Sequence, residues 1–212
     1  MFSKTLLATL VATLSLTLVG VAHGQHAFPK TKTVDPSGRA DYTTIQDAIN
    51  AFSPTTARVT VLIYSATYDE NVTLDGDDEN IHLIGVDPQA VIIAPTSAGS
   101  GIKITSGTET SRNNSIRNLT IITDNGDGIE IVKGPGGGDQ IPKDIVIEGV
   151  TISAVGTDKR GIGLDQAENV RIIDCGITSA AGHGIEIAHG GTPVSKDIII
   201  ASTTINAAGS GN

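Results

Sequence analysis

A four-residue unit, Gly-Ile-x-Ile or Gly-Ile-x-Leu, recurs four times in this chain and limits its fold more than any other feature. It appears as Gly101-Ile102-Lys103-Ile104, Gly128-Ile129-Glu130-Ile131, Gly161-Ile162-Gly163-Leu164 and Gly184-Ile185-Glu186-Ile187, at spacings of 27, 33 and 23 residues. A second unit follows each copy, with offsets of 31, 25 and 28 residues. Aligning the second units places Ile116, Ile147, Ile172 and Ile200 in one column and Ile121, Ile152, Ile177 and Ile205 in another. Between them lies the column Asn118, Gly149, Asp174, Ser202. Such residues accept turn or left-handed backbone at least cost. The pattern reads as strand, one-residue bend, strand, with apolar side chains inward on both sides of the bend.

Each repeat is then three short strands, and successive repeats stack at about 4.8 Å so that every strand pairs in parallel with its copies. Identical apolar residues form ladders down a shared interior, the arrangement of a solenoid. A leucine-rich horseshoe needs recurring Leu and a helix per repeat, which the sequence lacks. A β-sandwich would not hold columns in register over four repeats. The expected fold is all-β, a right-handed parallel β-helix of three-strand rungs. Cys175, in a column with Leu119, Val150 and Thr203, is expected to be a small core residue rather than a reactive thiol.

The N-terminal third differs. Val34 to Asn50 reads as a turn leading to a short helix, with Thr43 or Thr44 as its cap and Ile45, Ala48 and Ile49 on one apolar face. An amphipathic helix there would cover the open end of the solenoid. Short strands follow at 59–64, 71–74, 81–85 and 91–94. Ahead of all this, Lys4, an apolar run from Leu6 to Val21 and the small residues around Ala22 and Gly24 have the layout of a secretory signal peptide. The run is interrupted by threonines and falls short of the ~20 apolar residues a membrane span requires. The expected organisation is a signal peptide over 1–24, cleaved after Gly24 or Ala22, and one β-helix domain over 25–212. The expected location is secreted, extracellular or periplasmic, with no membrane association after cleavage.

Removing the signal leaves 13 basic against 23 acidic residues, and the chain has three Phe, three Tyr and no Trp. Nucleic acid, which demands a basic footprint, is excluded as a partner. A single cysteine forms no internal disulfide, so stability must come from packing.

The segment Asp35 to Asn50, followed by Val61-Leu62-Ile63-Tyr64, by Tyr68-Asp69-Glu70-Asn71-Val72-Thr73-Leu74 and by Ile81-His82-Leu83-Ile84-Gly85, resembles the opening of pectin methylesterases, members of the pectin-lyase-like superfamily. The resemblance spans residues 33 to 95. It implies the β-helix fold and a polysaccharide partner of the acidic, pectin type. The esterases' catalytic patterns Gln-Ala-Val-Ala, Gln-Asp-Thr-Leu and Asp-Phe-Ile-Phe-Gly have no counterpart in the chain, so no catalytic residue carries over. Gly182-His183-Gly184 is similar to the Gly-His-Gly element of polygalacturonases, but no Asp-Asp pair sits on the preceding rung, and His183 is expected to be a turn residue.

The superfamily's ligand groove implies a site on the outward side of the Gly-Ile-x-Ile strands. Strand alternation turns Ile102 and Ile104 inward and Lys103 outward, and the equivalent outward positions include Glu130, Asp165 and Glu186. The turn just before those strands presents Ser100, Asp127, Arg160 and His183 in one column. Glu130, Asp165 and Glu186 are the candidate catalytic carboxylates, and Lys103, Asp127, Arg160 and His183 the candidate substrate contacts. Glu130 and Glu186 stand two rungs apart, about 9–10 Å by strand spacing, near the separation that suits an inverting glycosidase. The same carboxylates could instead hold Ca²⁺, with Arg160 as a proton acceptor beside a uronate; otherwise no cofactor is expected. The bland alternative is a solvated charged face on a structural or adhesive solenoid.

Near the C-terminus, Ala207-Ala208-Gly209-Ser210-Gly211 repeats the string before the first unit, Ala98-Gly99-Ser100-Gly101, as though a fifth strand began there. The expectation is a chain cut short in mid-solenoid, or one whose last rung associates end to end.

Overall fold

The computed structural model describes residues 30–55, 57–107, 109–135, 140–188 and 194–208. The signal-peptide segment, the glycines at 136–138 and the start of a fifth strand at Gly211 lie outside the described residues. From the N-terminus the elements are β1 (Lys30–Val34), α1 (Ile45–Asn50), β2 (Val59–Ile63), β3 (Ala66–Tyr68), β4 (Val72–Leu74), β5 (Ile81–Gly85) and β6 (Val91–Ile93). The regular rungs follow: β7 (Ile102–Ser106), β8 (Ser115–Arg117) and β9 (Thr120–Thr123); β10 (Ile129–Lys133), β11 (Lys143–Glu148) and β12 (Thr151–Thr157). Two more complete the described chain: β13 (Ile162–Asp165), β14 (Glu168–Ile173) and β15 (Gly176–Ala181); β16 (Ile185–Ala188), β17 (Lys196–Ala201) and β18 (Thr204–Ala207).

These strands form three all-parallel sheets. Sheet A runs β1-β2-β5-β8-β11-β14-β17, sheet B runs β4-β7-β10-β13-β16, and sheet C runs β3-β6-β9-β12-β15-β18. Every third strand returns to the same sheet, so the chain is a parallel β-helix. The register is the one that the columns require. Ile116 pairs with Ile147, Ile147 with Ile172 and Ile172 with Ile200, and the file extends toward the N-terminus through Leu83 and Val61. Ile121, Ile152, Ile177 and Ile205 form the file of sheet C, and Ile102, Ile129, Ile162 and Ile185 that of sheet B. In the middle of the stack these side chains are fully buried. On the last rung Ile200 and Ile205 are 43% and 46% exposed.

Corner chemistry explains the repeat. The residues between sheets A and C, Asn118, Gly149, Asp174 and Ser202, all adopt positive φ, from 50° to 62°. A second left-handed column, one residue before the aligned apolar units, lies at the entrance to sheet A: Asn80, Asn113, Asp144, Asn169 and Asp197. All five are Asn or Asp, the side chains that best tolerate this region after glycine. At the entrance to sheet B the need is space. A Cβ on Gly128 would lie 2.2 Å from Ile152 Cγ2 and 2.6 Å from the Gly161 carbonyl oxygen; Gly101 and Gly161 meet the same pair of obstacles, and Gly184 meets Ile205 Cγ2 at 2.2 Å. The glycine that opens each unit is therefore fixed by close approach of the neighbouring coil.

Helix α1 covers the N-terminal end. Thr44 caps it by accepting from the Asp47 amide at 3.1 Å, and Ile45, Ala48 and Ile49 are buried against the first coil. Glu70 accepts from the Ile45 and Gln46 amides at 2.8 and 3.0 Å, placing a carboxylate at the helix start. The Gln46 carboxamide accepts from the Thr73 amide at 2.7 Å and donates to its carbonyl at 3.2 Å, pairing the edge of β4 as a neighbouring strand would. Strand β1 lies outside the elements that the sequence pattern predicts. Its sequence Lys-Thr-Lys-Thr-Val buries only Val34, so it carries the charge of an edge strand and little apolar signal. Cys175 is 3% exposed with its thiol donating to the Ile173 carbonyl, and burial raises its pKa. It is a core residue.

Among the described residues, one carboxylate is buried. Asp78 is 3% exposed; its Oδ2 accepts from the Asp75 amide at 3.0 Å, Ser53 hydrogen-bonds its side chain, and its Oδ1 has no partner. Burial, reinforced by the charges of Asp75 and Asp77, pushes its pKa up to about 6. The folded state thus holds a proton that the unfolded chain releases near pH 4, and stability falls as pH rises through that window, then levels off. The cost is on the order of 2–3 kcal/mol. Asp78→Asn is expected to flatten the dependence of the urea midpoint on pH between about 4 and 6. It should also be at least as stable as the parent at pH 8. An unchanged slope would assign the pH dependence elsewhere.

Candidate functional site

The outward side of sheet B and the turns entering it carry all seven expected residues, in two groups of contacting side chains. The corner column is built by backbone: the Gly101, Gly128 and Gly161 amides donate to the carbonyls of Asp127, Arg160 and His183, so these turns lie one above another. The strands then set a file in which Thr73, Lys103, Glu130, Gly163 and Glu186 are successive cross-strand partners. Val132, Asp165 and Ala188 form part of the parallel file two residues on.

Arg160 is the centre of the arrangement. Its backbone amide donates to Asp127 Oδ1 at 2.8 Å, and its Nε and Nη2 reach Asp127 Oδ2 at 2.8 and 2.7 Å. Its Nη1 donates to Asp165 Oδ2 at 3.0 Å and lies 3.9 Å from Glu186 Oε1. Burial works against the guanidinium charge, but the hydrogen bonds to Asp127 and Asp165 outweigh it, and the pKa is raised. Glu186 also approaches His183 Nε2 at 3.4 Å, with the His183 side chain well exposed. At the other end of the file, Lys103 Nζ lies 3.3 Å from Glu130 Oε2, which also accepts from the Ser100 hydroxyl at 3.0 Å.

Gly163 is what lets these pieces meet, and the sequence did not reveal this. It occupies the outward position between Glu130 and Glu186, and a Cβ there would lie 2.4 Å from Arg160 Cζ and 2.5 Å from its Nε. The guanidinium therefore rests directly on the strand, in the space a side chain would fill. Down the file the charges alternate: Lys103, Glu130, Arg160 over Gly163, Glu186. The only signal available in the sequence was a glycine in an outward column otherwise made of charged residues.

The same geometry bears on chemistry. The space between Glu130 and Glu186, where an inverting mechanism needs a water, is occupied by Arg160. The carboxylates of Asp127, Asp165 and Glu186 converge on a guanidinium, and among the described residues no group of three or more His, Cys, Asp or Glu is placed to share a metal ion. The arrangement suits hydrogen-bonded recognition of a ligand laid along the sheet.

The model of the right-handed β-helix region family matches residues 89–211, more than half of the chain. The chain belongs to this right-handed β-helix family. The right-handed parallel β-helix expected from the repeats is the fold it has. No curated protein matches it. Among solved structures, the β-helix is similar to a Geobacillus virus E2 protein, ORF18, at 16% identity and TM-score 0.48, over 74% of this chain and 32% of that one. It is similar to the A-module of mannuronan C-5 epimerase AlgE4 from Azotobacter vinelandii at 20% identity and TM-score 0.48, over 75% of this chain and 45% of that one. Pectin methylesterase from carrot is 14% identical with TM-score 0.38, over 87% and 85%. The β-helix described here thus spans less than half of the first two.

Proposed function

We propose that the protein is a secreted polysaccharide-contacting β-helix and that the outward side of sheet B is its contact surface. The observation that carries this reading is the placement of seven polar side chains from four successive coils along one face, in two groups whose internal contacts are 2.7–3.9 Å: Lys103 with Glu130, and Arg160 with Asp127, Asp165 and Glu186, the last of which meets His183. A strip along the solenoid axis presents a repeating ligand with a repeating surface. Secretion rests on the layout of residues 1–24. Because its carboxylates are engaged with Arg160 and Lys103, binding is favoured over acid–base catalysis by Glu130, Asp165 and Glu186. The acidic, pectin-type polymer implied by the N-terminal resemblance is a weaker match, since carboxylates outnumber cations on the strip.

The test is affinity for a panel of acidic, neutral and amino-bearing oligosaccharides, measured by calorimetry on the parent and on Glu130→Gln/Glu186→Gln. The expected result is binding of at least one class, weakened about tenfold or more in the variant with its circular dichroism unchanged. Absence of binding to every class, or identical affinity in the variant, would favour a structural or adhesive solenoid with a merely solvated face.

A further inference from the structure

The sign and chemistry of the strip narrow the ligand, on the reading that sheet B is a glycan-contacting surface. Four carboxylates face two permanent cations, an excess of two negative charges with His183 neutral. Both cations are already engaged: Lys103 by Glu130, and Arg160 by Asp127, Asp165 and Glu186. Acceptors, by contrast, are in surplus. Glu130 uses Oε2 for Ser100 and Lys103, and Asp165 uses Oδ2 for Arg160. Among the described residues, the second oxygen of each has no protein hydrogen bond. The outward partners along both files are Thr, Lys, Glu, Gly, Val, Asp and Ala, with no aromatic ring on which an uncharged sugar could stack. Affinity must therefore come from charge-assisted hydrogen bonds, and donors that carry positive charge fit them.

We infer that the strip binds a glycan bearing free amino groups, whose ammonium groups seat against Glu130 and Asp165. A bare polyuronate would bring carboxylates to a surface that already holds an excess of them and has its cations engaged. The chain as a whole is acidic, so the contribution of the strip must be separated from generic attraction. Asp174, at the bend between sheets A and C, and Asp197, at the entrance to sheet A, supply the control. Both are exposed and adopt positive φ, which Asn tolerates equally well.

The experiment titrates fully deacetylated glucosamine oligomers into the parent, into Glu130→Gln/Asp165→Asn and into Asp174→Asn/Asp197→Asn, at low and high salt. The N-acetylated oligomer and oligogalacturonate, the latter with and without Ca²⁺, are titrated alongside. The expected result is binding of the glucosamine oligomer that falls about tenfold in Glu130→Gln/Asp165→Asn and with added salt, and changes by less than about twofold in the control. Equal losses in the two variants would overturn the inference by showing attraction to net charge alone. Binding of the acetylated oligomer equal to that of the deacetylated one would also overturn it, as would tight binding of oligogalacturonate with or without Ca²⁺. If such binding were nonetheless lost in Glu130→Gln/Glu186→Gln, the glycan-contacting role would stand and only the ligand class would fall. Failure of every oligomer to bind removes both.

Discussion

Replacing Ile147 with Ala is expected to lower the free energy of unfolding by about 3–4 kcal/mol. Ile147 is fully buried and lies between Ile116 and Ile172 in the sheet A file, so the cavity would be bounded above and below by coils fixed through their own hydrogen bonds. A solenoid interior has little freedom to collapse along its axis, because neighbouring strands are held at about 4.8 Å by backbone pairing. The same substitution at Ile200, one file but two coils later, is expected to cost about 1 kcal/mol or less, since that side chain is already 43% exposed. Urea unfolding followed by circular dichroism measures both. Equal costs would mean that burial does not set the cost of truncation along the file.

Arg160→Ala is expected to be the most damaging change on the surface, destabilising by about 2–4 kcal/mol. The Arg160 and Asp127 side chains are only 17% and 11% exposed, and removing the guanidinium leaves Asp127 without its cation and Asp165 and Glu186 without a common partner. The magnitude is set by the unpaired carboxylate left behind rather than by the net worth of the ion pair. A double variant, Arg160→Ala/Asp127→Ala, should therefore recover part of the loss. Additive losses would show that the two residues act independently, which their three short contacts contradict.

Much of this molecule is legible in its sequence because a stacked coil makes identical demands at identical places. The isoleucine files, the bend at Asn118, Gly149, Asp174 and Ser202, and the outward position of Glu130 and Glu186 all follow from aligning four repeats. The helix over Ile45–Asn50 follows from local capping and one apolar face. What escaped has a physical reason in each case. Strand β1 buries one residue and reads as charged coil. The Asn/Asp column entering sheet A stands one residue before the aligned apolar units, at the same offsets, and its mixed Asn and Asp side chains read as loop polarity rather than as a left-handed corner. The seat of Arg160 on Gly163 depends on where a long side chain folds back, and alternation along a strand says only which way it starts.

The strip on sheet B is the surface on which the proposed glycan lies. The most direct measurement is a ¹⁵N–¹H chemical-shift map during titration with glucosamine oligomers. Perturbations confined to one axial line, through Lys103, Glu130, Gly163 and Glu186 with Asp165 and His183 beside it, are the expected result. Shifts scattered over sheets A and C, or none at saturating oligomer, would contradict it.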